Sequence, residues 1–113
     1  MIVLAAILLA GSQPYHQPKL LQKGDCSWVH GRFSFANGSG IRRIWVIGTH
    51  HYLNLYDTDD DVPDKRFAMA NAWPNETYYA DFYVCADEGF RTGHMQHVRL
   101  KRFRNLVVEK WKD

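Results

Sequence analysis

"CSWVHGRFSFANGSGIRRIWV", residues 26 to 46, decides the fold. In its first half Val29, Phe33 and Phe35 share one face with Ser27 and Gly31, while Cys26, Trp28, His30, Arg32 and Ser34 share the other. A two-residue period of this kind is the mark of a β-strand with one covered side. Gly31 inside it predicts a bulge or sharp coil, the device by which small barrels turn corners. Asn37-Gly-Ser-Gly40 is a turn signal, so the chain should fold back as a hairpin. In the return strand Ile41, Arg43, Trp45 and Ile47 alternate with Arg42, Ile44, Val46 and Gly48. Beyond the arginines both faces are apolar, which predicts cover on both sides and places Ile41, Ile44, Trp45, Val46 and Ile47 in the core. Arg42 and Arg43 leave on opposite faces, so at most one can lie over an aromatic ring.

The pattern continues outward. Leu53 and Leu55 alternate with Tyr52, Asn54 and Tyr56, and 41–56 reads as one long strand, bent or broken near Gly48. Residues 57–64 (DTDDDVPD) hold five aspartates and read as a solvated loop. Residues 65–73 fit a short helix with Asp64 as N-cap, Pro74 as its stop, and Phe67, Ala70 and Trp73 on its inner face. Residues 77–85 alternate Tyr78, Ala80, Phe82 and Val84 against Tyr79, Asp81, Tyr83 and Cys85. After a loop at 86–93, residues 94–102 form a strand with Val98 and Leu100 inward and Arg99 and Lys101 outward. Arg104-Asn105 then makes a turn into a last strand at 106–109. Five or six strands with short connections predict an all-β, mainly antiparallel domain. A helical insert between the third and fourth strands suits a small OB-like β-barrel, with a two-layer sandwich as the alternative.

At 113 residues the chain allows one domain, and a composition 46% hydrophobic and 23% charged excludes disorder as the default. Phe, Trp and Tyr total sixteen, enough for a small chain to build its core from rings. The net charge of +2 argues for no partner by itself. Residues 1–12 (MIVLAAILLAGS) read as a signal peptide: the apolar run from Ile2 to Ala10 falls short of the about 20 residues that span a bilayer, and small residues follow it. Residues 13–25 are a proline-broken lead-in, and 26–113 a single domain. Export leaves no stable transmembrane anchor once the leader is removed. It also makes a bridge the preferred state of the two cysteines, Cys26 and Cys85, over a pair of buried thiols. Closing that loop removes roughly 4 kcal/mol of unfolded-state entropy. The expected location is secreted or periplasmic.

The strings VHGRFSFANGSGIRRIWVIGTHHYL (29–53), YYADFYVC (78–85), a G-x-M step at Gly93–Met95, and NLVV (105–108) resemble a group of small exported bacterial proteins of unknown function. Their shared pattern is an HGR strand, an RIWxIGT strand, a DFxVC strand and an NLxV end. The resemblance implies export and a cysteine pair and brings no activity with it. The acidic loop and the second histidine of His50-His51 depart from the pattern.

Chemistry-bearing residues are scattered. His50 and His51 point to opposite faces of a strand, so a metal would need one of them with His94 or His97 and a carboxylate such as Asp81. No metal centre is assigned on that basis, and no cofactor is expected. The aspartates of 57–64 invite calcium, yet Val62 and Ala68 stand where an EF-hand needs glycine and glutamate. There is no nucleophile motif. Residues 91–112 carry seven Lys or Arg against Glu109. Arg42, Arg43, Tyr52, Arg99, Lys101 and Arg102, with Tyr56, are the candidate ligand-binding residues: basic groups beside exposed aromatics bind single-stranded nucleic acid on OB-type barrels. An exported chain seldom meets nucleic acid, so a polar or anionic ligand, or an envelope protein, is the favoured partner. The expected function is a non-enzymatic binding or interaction module in the cell envelope. The alternative is a small hydrolase or metal-dependent enzyme with a histidine-containing site.

Overall fold

A computed structural model describes residues 21–35, 41–56, 61–71 and 75–111. The expected signal peptide, most of the lead-in, the turn at 37–40, Asp57, Asp59 and Asp60, and the expected helix residue Trp73 with its stop Pro74 lie outside them. Among the described residues five strands form one mixed sheet: β1 (Cys26–Phe35), β2 (Arg42–Val46), β3 (Tyr52–Asn54), β4 (Glu76–Ala86) and β5 (Gln96–Lys110). They close into a ring in the order β1-β2-β3-β5-β4. Neighbours are antiparallel except β3 and β5, which run parallel through Leu53↔Gln96 and Asn54↔His97. No helix among the described residues is long and apolar enough to cross a membrane.

The alternation places the core as expected on β1 and β4: Phe33, Phe35, Tyr78, Ala80, Phe82 and Val84 are buried. Gly31 does not bulge. It pairs in register with Val46 on one side and Ala80 on the other. Its task is close approach, because a Cβ there would run into the Ile44 side chain and sit 3.1 Å from the Trp45 carbonyl oxygen. Cys26 and Cys85 face each other in the β1–β4 ladder and form a disulfide. The described end of the lead-in belongs to the fold: Leu21 is buried, Gly24 N–H donates to Ala86 O, and Ala86 N–H donates to Asp25 O.

Three further expectations need correction. Residues 41–56 are a hairpin rather than one long strand, and the expected bend or break near Gly48 is a full reversal. Gly48 adopts φ 87°, Thr49 N–H and Oγ1 both donate to Val46 O, and Val46 N–H donates to His51 O, so the chain reverses. Within it Ile44 and Val46 are buried, whereas Ile41, Trp45 and Ile47 are half-buried. The expected helix is two single 3₁₀ turns, Lys65–Phe67 and Met69–Asn71. Asp64 does cap the first, accepting from Arg66 N–H at 2.8 Å, and Phe67 is fully buried. Lastly, no turn divides 94–109. β5 runs unbroken for 15 residues and absorbs the irregularity as two register shifts against β4, with Asn105 at φ 58° beside one of them.

Inside the ring an aromatic cluster packs among aliphatic side chains. Phe67 plugs it from the 3₁₀ turn, with ring centroids 4.9 Å from Phe33, 5.7 Å from Phe82, 5.8 Å from Tyr78 and 5.2 Å from Phe103. Arg42, whose parity turns it inward with Ile44, fastens this plug. Its Nη1 donates to Phe67 O at 3.0 Å and its Nη2 to Tyr56 O at 2.6 Å. A guanidinium only 1% exposed is tolerated there because carbonyl oxygens replace water.

Candidate functional site

The outer face of the sheet carries rings and guanidiniums in cross-strand rows. Register sets Trp28 beside Tyr83, and Tyr83 beside Arg102. Arg102 lies 4.5 Å from the Tyr83 centroid and 5.3 Å from Trp28, and Arg104 lies 4.1 Å from Trp28. The next row sets His30 beside Asp81 and Asp81 beside Arg104. There His30 Nδ1 is 2.9 Å from Asp81 Oδ1, while Asn105 Nδ2 donates to Asp81 Oδ2 at 3.0 Å. The Asn105 amide, then His30, holds the Asp81 carboxyl below its ordinary range. A third row runs Tyr79, Arg32, Trp45, Tyr52, with Arg32 over the Trp45 ring at 5.0 Å. Arg43, in the fourth row, sits over Tyr52 at 4.9 Å. Each such contact sets a guanidinium over a ring and contributes about 0.5–1 kcal/mol where exposed.

A second cluster lies where the β4–β5 loop meets β3. Glu88 Oε2 is approached by three donors: His94 Nε2 at 2.9 Å, His97 backbone N–H at 2.9 Å and His97 Nδ1 at 3.2 Å. Tyr56 stacks on the His97 ring at 4.1 Å and 11°. Asn54 Nδ2 reaches His97 Nε2 at 3.3 Å. Buried Gln96 ties the loop down through its Nε2, which donates to Leu21 O and Glu88 O. His51 packs against Phe90 at 5.0 Å; burial lowers its pKa, and the Gln96 amide partly opposes that.

The His97 backbone N–H, followed by the His94 side chain, lowers the Glu88 pKa from 4.5 to about 2. A depressed carboxyl stabilises the fold above its unfolded pKa and loses that contribution as pH falls through the folded value. Glu88→Gln should therefore flatten the stability profile between pH 4.5 and about 2, measured by urea unfolding at stepped pH. An unchanged acid slope would contradict this assignment.

The expected ligand residues divide. Arg43 and Tyr52 meet, and Arg102 joins the outer face. Arg42 does not belong: it is buried and holds backbone. Arg99 is paired with Asp87 at 3.0 Å, Lys101 is exposed at a register shift of β5, and Tyr56 is engaged with His97. Asp81 is not the carboxylate beside His94 and His97; Glu88 is. Asp64 is committed to Arg66, with Oδ2 2.9 Å from Nη1. Sequence reasoning missed Trp28, Arg32, Trp45, Tyr83, Arg104 and Glu88. The first five are legible as outward strand positions, but their pairing needs the register; Glu88 sits in a loop without a period. No protein family, curated protein or solved structure matches this chain.

Proposed function

We propose that this chain is an exported, non-enzymatic binding module of OB-barrel type whose outer face takes an anionic glycan. Three features support the OB assignment: the ring order, the parallel β3–β5 closure, and a plug between β3 and β4. The Cys26–Cys85 bridge supports an oxidising compartment.

The observation that carries the ligand class is the set of four arginines, Arg32, Arg43, Arg102 and Arg104, held over the rings of Trp45, Tyr52, Tyr83 and Trp28. A guanidinium held over a ring is steadied there while its N–H groups stay available to meet carboxylate or sulfate in a fork. Rings between the cations offer flat apolar surface to a sugar. Asp81 is the one carboxylate these rows contain among the described residues, and His30, Arg104 and Asn105 already occupy it.

Retention on a heparin matrix tests this. The Arg43→Gln/Arg102→Gln variant should bind about tenfold more weakly, which is about 1.4 kcal/mol, and elute at lower salt. Arg99→Gln, whose guanidinium is already paired with Asp87, should elute close to the natural chain. Equal elution of all three proteins would refute the assignment.

A further inference from the structure

We propose that Glu88, His94 and His97 form a binding site for a divalent first-row transition cation of the zinc class. It is a site separate from the arginine face, and it stands whether or not that face binds glycans.

One donor atom from each of the three residues lies within 4.8 Å of the others. His94 Nε2 and His97 Nδ1 are 2.9 and 3.2 Å from the same oxygen, Glu88 Oε2. With metal–ligand bonds of about 2.0–2.1 Å, the edge of a tetrahedron is roughly 3.3 Å, so both edges to Glu88 already stand near the required spacing, while the His94–His97 edge is held within 4.8 Å. Two imidazoles and one carboxylate select zinc, cobalt, nickel or copper over calcium and magnesium, which want oxygen alone. Three protein donors leave the fourth corner to water.

An independent observation concerns the tautomer. As it stands, the Asn54 amide nitrogen donates to His97 Nε2, which places the His97 proton on Nδ1, directed at Glu88. Asn54 Oδ1 is meanwhile buried with no hydrogen-bond partner. A half-turn of the amide puts that oxygen on Nε2, where it accepts Nε2–H and leaves the Nδ1 lone pair for a metal. Ligating histidines are oriented in this way by an acceptor on their other nitrogen. The Tyr56 ring stacked on His97 holds the imidazole plane in place meanwhile. At His94 the proton passes from Nε2 to Nδ1, so neutral imidazoles bind without net proton release, and imidazolium must first lose its proton.

The test uses the full chain with its disulfide intact, stripped with chelator and titrated with Zn²⁺ by calorimetry and Co²⁺ by visible absorption. The expected result is 1:1 binding with an intense tetrahedral-type cobalt spectrum, weakening from pH 7.5 to 5.5. His94→Ala, in the loop, and Glu88→Gln should each weaken it at least tenfold with the circular dichroism unchanged. Asn54→Leu should weaken it about 10–100-fold without removing a ligand. The site is refuted if no 1:1 binding occurs up to about 1 mM Zn²⁺. It is refuted equally if His94→Ala and Glu88→Gln bind like the natural chain, which would put the ion elsewhere. Unchanged affinity in Asn54→Leu would overturn the positioning role of Asn54.

Discussion

Phe67→Ala is expected to lower the unfolding free energy by about 3–5 kcal/mol, a large part of the about 5–15 kcal/mol available to a domain of this size. The ring is fully buried, and its four aromatic neighbours come from β1, β4 and β5. Those strands are fixed in a closed sheet, so they cannot fall inward to fill the void. The turn carrying Phe67 cannot slide in either, because Arg42 grips its carbonyl from β2. The cavity therefore persists, and the cost lies toward the upper end of the usual range. Urea unfolding of the variant checks this; a loss below about 1 kcal/mol would mean that the 3₁₀ turn is not the plug.

Replacing Cys26 and Cys85 together by serine should cost about 2–5 kcal/mol. The bridge closes a loop with a sequence separation of 59, which contains β2, β3 and both 3₁₀ turns and leaves β5 outside. In the folded ring these two positions are held opposite each other by the β1–β4 ladder without help from sulfur. The bond thus acts mainly on the unfolded chain, which regains its freedom when the bond is removed. Denaturation of the oxidised, reduced and double-serine proteins should place the last two together, below the first. Coincidence of all three would contradict the assignment.

How much of this was legible in the sequence depended on parity. On β1 and β4 the two-residue alternation ran uninterrupted, and the buried faces followed from it directly. At 41–56 the apolar residues change parity, with Ile44 and Val46 inward but Leu53 and Leu55 also inward. A single regular strand cannot do this, so the shift marks a reversal that both-sided apolarity disguised. On β5 the inward residues Val98, Leu100, Phe103 and Leu106 are irregularly spaced because each register shift inserts a residue. That spacing imitates a strand, a turn and another strand. Arg42 shows a different limit: composition calls an arginine exposed, and only the position of two backbone carbonyls makes its burial affordable. For the candidate site, His94 and His97 were legible as a pair, whereas Glu88 reaches them through a loop whose path no local pattern specifies. The arginine–ring contacts depend on which residues oppose one another across strands, information that becomes available with the ladder register.

The most direct test of the arginine–aromatic face is a ¹⁵N heteronuclear NMR titration of the oxidised chain with a sulfated heparin hexasaccharide. The account predicts shifts of the Trp28 and Trp45 indole and the Arg32, Arg43 and Arg102 Nε–H signals, saturating together and reversed by salt. Shifts confined to 87–97, or none at concentrations that saturate the matrix, would contradict it.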